Sequence, residues 1–134
     1  ALIGNHDAHA KNFSLLYSGK APVLAPSYDT LSTAAYPTMT QKMAMKIGSN
    51  YKFSEVQARH WEQFAESVGL TKAQAKRRIL ELAKLLPANA RKLQFAPERG
   101  FVKNDVVEQI STLIEHRCAL TIRRLNVPAT ESSV

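Results

Sequence analysis

Apolar residues recur at helical spacing through the second half of the chain. Trp61, Phe64, Ala65 and Val68 form one stripe, preceded by Ser54 and Gln57 in the pattern of a capping box and closed by Gly69. Thr71 and Gln74 repeat the capping pattern ahead of a second stripe, Ala75, Ile79, Leu82, Ala83 and Leu86, which Pro87 is expected to stop. A short helix near 88–94 and a loop through Pro97 and Gly100 follow. The longest helix is expected from Asp105 to Leu125, with Val107, Ile110, Leu113, Ile114, Cys118, Thr121 and Leu125 facing inward.

The first third reads differently. Phe13 to Tyr17 has a strand pattern, Ser18-Gly19-Lys20 is a turn signal, and Pro22 to Leu24 can pair back. Met43, Met45 and Ile47 alternate with Lys42, Ala44 and Lys46, as in a half-buried strand between turns at Tyr36-Pro37 and Gly48-Ser49-Asn50. The fold class expected is therefore mainly α with a small β-hairpin layer, an α+β arrangement. The domain spans 1–125, with loop chemistry in 1–35 and a helical bundle over 54–125. Residues 126–134 lack periodicity and are expected to be a disordered tail.

Composition narrows the class. The 134 residues are 45% apolar, enough for one domain with a core. No apolar run approaches the roughly 18 residues of a membrane span, so no membrane association is expected. A lone Cys118 excludes an internal disulfide and suits a cytoplasmic location; its expected role is a small buried apolar residue on a helix. The net charge of +7 is carried by clusters at Lys72, Lys76, Arg77 and Arg78, then Arg91, Lys92, Arg99 and Lys103, then Arg123 and Arg124. These fit either a solvated basic face or a contact with an anionic partner such as DNA. No aromatic residues interleave with them, so base stacking has no support.

The candidate chemistry lies at the start, in Asp7-Ala8-His9-Ala10-Lys11-Asn12. Asp7 and Asn12 have the Asp-to-Asn spacing of a kinase catalytic loop, where the Asp accepts the substrate hydroxyl proton and the Asn holds a metal ion. A further acid, Asp29, would complete the metal site. The hairpin between them brings Asn12 and Asp29 together, because the open ends of a hairpin are adjacent. His6, His9, His60 and His116 have no zinc-ligand spacing, and His60 and His116 are expected on helix surfaces.

The stretch Gly4-Asn5-His6-Asp7-Ala8-His9-Ala10-Lys11-Asn12-Phe13-Ser14-Leu15-Leu16 resembles the catalytic loop of HipA-type serine/threonine kinases, the toxin halves of bacterial toxin–antitoxin pairs. Ala25-Pro26-Ser27-Tyr28-Asp29-Thr30-Leu31-Ser32-Thr33 resembles that family's metal-binding segment, and Met43 to Gly48 the segment after it. The resemblance runs, with falling specificity, to about residue 125. It implies part of the carboxy-terminal lobe of a protein-kinase-like fold, with ATP and Mg²⁺ as cofactors. It implies Asp7 as catalytic base and Asn12 and Asp29 as Mg²⁺ ligands. Lys11 is placed at the γ-phosphate or in solvent, and His9 beside the nucleotide, holding the loop by hydrogen bonding. The implied partners are a protein bearing a Ser or Thr hydroxyl and a HipB-type antitoxin, with a weak DNA contact through the basic surface.

No Gly-rich phosphate loop or strand lysine precedes the motif, so the chain is read as the carboxy-terminal piece of a longer kinase, inactive by itself. Its surface around Leu2, Ile3 and Phe13 is expected to be exposed. Two other classes remain: a lipid or small-molecule kinase with the same Asp-x-His-x-x-Asn loop, and a non-catalytic helical interaction module.

Overall fold

A computed structural model of the chain describes residues 1–127. Two small antiparallel hairpins precede three helices. The first pairs β1 (Leu15–Leu16) with β2 (Val23–Leu24) in the register Leu15 opposite Leu24 and Leu16 opposite Val23. The second pairs β3 (Lys42–Ile47) with β4 (Asn50–Lys52). The helices are α1 (Ala58–Ser67), α2 (Lys72–Gln94) and α3 (Asp105–Leu125). The α+β class and the hairpin layer are as expected.

Local sequence explains most of the helix ends. Thr71 Oγ1 accepts the Gln74 N–H at 3.1 Å, and Gln74 Oε1 accepts the Thr71 N–H at 2.9 Å, a complete capping box on α2. Asn104 Oδ1 accepts the Val107 N–H at 3.1 Å and starts α3, with Asp105 and Glu108 in the first turn and Arg123 and Arg124 in the last, as the macrodipole favours. Gly69, at φ +73°, closes α1 in the left-handed region.

Other expectations give way to packing. Ser54 does not cap α1: it lies in a 3₁₀ turn, Phe53–Glu55, and the N-cap is Gln57, whose N–H is accepted by His60 Nδ1 at 2.8 Å. The Ser54 carbonyl instead accepts Arg124 at 2.8 Å. His60, expected on a surface, is buried, because β4 lies against the start of α1 and Asn50 Nδ2 reaches its Nε2 at 3.0 Å. Pro87 does not stop α2, which runs seven residues further and absorbs the short helix expected near 88–94. Leu86 and Ala90 pack into the cluster of Ala83, Ile114 and Cys118, and Arg91 clamps Glu115 (2.7 and 3.0 Å) and Glu108 (2.8 Å) on α3. Contacts on both sides of the proline outweigh its missing N–H. Strand β4 was not foreseen, and Met45 and Val68 are exposed rather than inward.

The core lies between the second hairpin and the helices. Met43, Ile47, Phe53 and Val56 pack with Trp61, Phe64 and Leu120. Ala65, Ala75, Ile79 and Leu125 join the three helices. Leu2 and Ile3, expected to be exposed, instead pack onto the seam of α2 and α3, while Phe13 is exposed as expected. That seating ties the loop that follows to the helical bundle. Cys118 is buried, and burial pushes its thiol up to about 11, the inert residue expected. Among the described residues, no helix is long and apolar enough to cross a membrane. The tail expected over 126–134 lies, from residue 128 on, outside the described residues.

Candidate active site

The loop carrying Asp7 is held from several sides. Gly4 takes φ +77°, and its carbonyl accepts the Ala34 N–H at 2.9 Å and Thr33 Oγ1 at 3.3 Å. Any larger residue would collide, since a Cβ at Gly4 would sit 2.9 Å from both Ala34 Cβ and Leu113 Cδ2. The His6 N–H donates to Thr33 Oγ1 at 2.9 Å, and the His6 carbonyl accepts the Ala44 N–H of β3 at 2.7 Å. The buried His6 ring lies between Thr40, whose carbonyl is 3.1 Å from Nδ1, and Arg117 of α3, 2.8 Å from Nε2. Burial holds its pKa below the ordinary value, and the Arg117 charge adds to that.

Arg117 is itself enclosed. Its guanidinium also donates to the Ala1 carbonyl at 2.9 Å and stacks 4.3 Å over the Phe53 ring. Asp7 follows this anchored segment and is exposed to solvent, its N–H donating to Asn5 Oδ1 at 3.1 Å. The fixed backbone and exposed carboxylate suit a group that must meet a substrate.

Residues Ala10–Asn12 form a 3₁₀ turn. Asn12 Oδ1 accepts the His9 N–H at 3.0 Å, so the loop-holding bond at His9 comes from its backbone. The ring Nδ1 of His9 and the Ser32 hydroxyl are buried without a hydrogen-bond partner among the described residues. Lys11 is exposed and makes no ion pair among them.

The first hairpin then returns the chain. The Ala25 N–H donates to the Ser14 carbonyl at 2.8 Å, extending the ladder toward the open end. There the Tyr28 hydroxyl donates to the Lys11 carbonyl at 2.8 Å and lies 3.3 Å from Ser14 Oγ. This joins the residue before Asn12 to the residue before Asp29. Asp29 has φ +53°, left-handed backbone that Asp tolerates better than most residues, and its exposed carboxylate makes no ion pair among the described residues. Three residues with a part in this geometry were given no role from sequence: His6, Arg117 and Tyr28. Tyr28 stands beside Asp29 and was within reach of a local reading. Nothing local marks Arg117, which is 111 residues from His6.

The donor set suits a hard cation. Asn12 and Asp29 offer amide and carboxylate oxygens, and no group of three His, Cys, Asp or Glu gathers into a cage among the described residues. Mg²⁺ typically takes one or two such protein ligands and completes its octahedron with phosphate oxygens and water. His60 and His116 belong to other parts of the fold: His60 caps α1, and His116 is exposed on α3.

Comparison with known proteins identifies the family. Residues 1–90 match the model of the HipA-like C-terminal domain, and the chain belongs to that family. Y4mE of Sinorhizobium fredii, named as a candidate kinase, is 47% identical over 81 residues, covering 60% of this chain and 19% of that protein. The serine/threonine-protein kinase toxin HipA of Shewanella oneidensis is 28% identical over 86 residues, covering 64% of this chain and 20% of the toxin. The chain thus spans about a fifth of the length of these curated relatives. A chain in the solved complex of HipA, HipB and operator DNA from Shewanella oneidensis MR-1 superposes with a TM-score of 0.76 at 21% identity, over 96% of this chain and 31% of that one. This likeness carries the fold.

Proposed function

We propose that this chain supplies the catalytic loop and metal ligands of an ATP- and Mg²⁺-dependent serine/threonine protein kinase, the toxin of a toxin–antitoxin pair. The observation that carries the reading is the bond from Tyr28 to the Lys11 carbonyl, which draws the segments bearing Asn12 and Asp29 together at the open end of one hairpin. Membership of the HipA-like family supports it.

In this reading Asp7 accepts the proton of a Ser or Thr hydroxyl as that oxygen attacks the γ-phosphate, the bond to the β–γ bridging oxygen breaks and ADP leaves. An ordinary Asp is a weak base at neutral pH. Its main service is to orient the hydroxyl late in the reaction. Asn12 and Asp29 hold Mg²⁺, which would neutralise charge on the phosphate oxygens. Lys11 would extend toward the phosphates, and His9 holds the loop beside the nucleotide. In kinases a lysine from another lobe positions the α- and β-phosphates. That group is assigned to the part of the relatives' length outside this chain, so the chain alone is expected to be silent.

The antitoxin partner is proposed to be of the HipB type, as in the complex of the structural neighbour. A DNA contact through the basic surface would fall to Lys76, Arg77, Lys92, Arg99 and Lys103. These make no ion pair among the described residues, whereas Lys72, Arg78 and Arg91 are paired with glutamates. The test is radiolabel transfer from ATP to protein by the full-length parent. Transfer in the wild type with its loss in Asp7→Ala is expected; near-normal transfer by Asp7→Ala overturns the assignment.

A further inference from the structure

We propose that Tyr28 is a positioning residue that sets the separation of the two metal-ligand segments; this rests on the kinase reading above. Its hydroxyl proton is committed to the Lys11 carbonyl at 2.8 Å, and its oxygen can accept from Ser14 Oγ at 3.3 Å. Lys11 is covalently joined to Asn12 and Tyr28 to Asp29, so one hydrogen bond restrains the peptides that carry both ligands.

The hairpin cannot do this alone. It has two residue pairs, and all four of its strand side chains are exposed: Leu15, Leu16, Val23 and Leu24. A two-stranded ribbon without a buried face is marginal in water. After Ala25 the ladder ends, and Asp29 follows four residues later with φ +53°, outside any strand geometry. Without a strut, the position of the Asp29 carboxylate relative to Asn12 would vary with every bend of Pro26 to Tyr28. Tyr28 is 47% exposed, so burial is not what fixes it. Its hydroxyl bond to the Lys11 carbonyl is the contact that bridges the segments.

The test uses the full-length parent, Mn²⁺ as the metal probe followed by electron paramagnetic resonance, and a non-hydrolysable ATP analogue. Tyr28→Phe removes only the hydroxyl oxygen. It should weaken Mn²⁺ binding roughly two- to tenfold, the worth of one hydrogen bond, with an unchanged melting midpoint. Ser14→Ala, which leaves the bond to Lys11 in place, should bind Mn²⁺ within about twofold of wild type. Asp29→Ala separates the two levels of inference. If Asp29→Ala weakens Mn²⁺ binding and Tyr28→Phe does not, the strut is wrong and the kinase reading stands. If Asp29→Ala binds Mn²⁺ as wild type does, the metal assignment fails and the strut with it. A Tyr28→Phe protein that loses metal affinity only alongside a lowered melting midpoint would also overturn the proposal, since Tyr28 would then act on folding.

Discussion

The Arg117 guanidinium donates a 2.8 Å hydrogen bond to Nε2 of His6, joining α3 to the loop that presents Asp7. Arginine has no acceptor, so Nε2 must be unprotonated and Nδ1 carries the hydrogen toward the Thr40 carbonyl at 3.1 Å. The contact therefore exists only with a neutral imidazole.

A pH dependence follows. Burial, then the Arg117 charge, lower the pKa of His6 in the fold, and burial, then Arg59, lower that of His60. The unfolded chain takes up these protons first, near the ordinary histidine value of about 6.5. Stability is thus fully present above that value and is lost as pH falls from it toward the lower folded values. Urea unfolding at pH 7.5 and pH 5.5 should show the loss. The carboxylates of Glu108 and Glu115, held low chiefly by hydrogen bonds from Gln94 and Arg91 respectively, stay ionised across this window and do not confuse it. His6→Gln should flatten part of the slope. A wild type equally stable at both pH values would refute the assignment of His6 as a neutral acceptor.

Gly4 should tolerate a side chain far less well than Gly69 or Gly100, two other glycines with positive φ. Gly69 and Gly100 share its left-handed backbone but face open space, whereas a Cβ at Gly4 meets Ala34 and Leu113 at 2.9 Å. Gly69→Ala should cost about 1 kcal/mol, from backbone strain alone. Gly4→Ala should cost about 1–3 kcal/mol more, because overpacking adds to that strain. Equal losses in urea unfolding would mean that the loop yields freely, contrary to its anchoring.

Much of the fold was legible because its signals are local. Thr71 and Gln74 sit three apart and cap α2; Asp105 to Leu125 carries one apolar face and is one helix. The hairpin that returns Asp29 to the neighbourhood of Asn12 was legible from Ser18-Gly19-Lys20 and the apolar residues flanking it. What was hidden depends on partners far along the chain. His60 looks like a surface residue until β4 is laid against it, and the reach of Arg117 to His6 has no local sign. The Asp7-to-Asn12 spacing suggested chemistry, but only the packing of Gly4, His6 and Thr33 explains why the backbone there is held.

Pro87 is the sharpest conflict between local preference and tertiary packing, and it is testable. Proline removes one helical hydrogen bond and crowds the preceding turn, yet α2 continues to Gln94. Packing of Ala90 and the Arg91 clamp must offset that cost in the native state. Pro87→Ala should therefore stabilise the protein, by about 1–3 kcal/mol, the difference between the two residues within a helix. Loss of stability in Pro87→Ala would mean that α3 packs against the proline ring itself or a kink it creates.

The proposed roles of the two acids separate by what each variant loses. Asp7 is exposed at the end of an anchored loop, and Asp29 lies across the hairpin beside Asn12's segment. If Asp7 serves the acceptor hydroxyl, Asp7→Ala in the full-length parent should keep Mg²⁺-ATP affinity and lose phosphate transfer by about a hundredfold or more, the usual worth of a general base. If Asp29 holds the metal, Asp29→Ala should weaken Mg²⁺-ATP binding itself, and raised Mg²⁺ should restore part of the transfer. Asn12→Ala should resemble Asp29→Ala, with the added loss of the bond from the His9 N–H to Asn12 Oδ1. Calorimetric titration measures the binding and radiolabel transfer measures the chemistry. Should Asp7→Ala lose nucleotide binding while Asp29→Ala keeps it, the two roles are reversed, and the hairpin returns the base rather than the metal ligand.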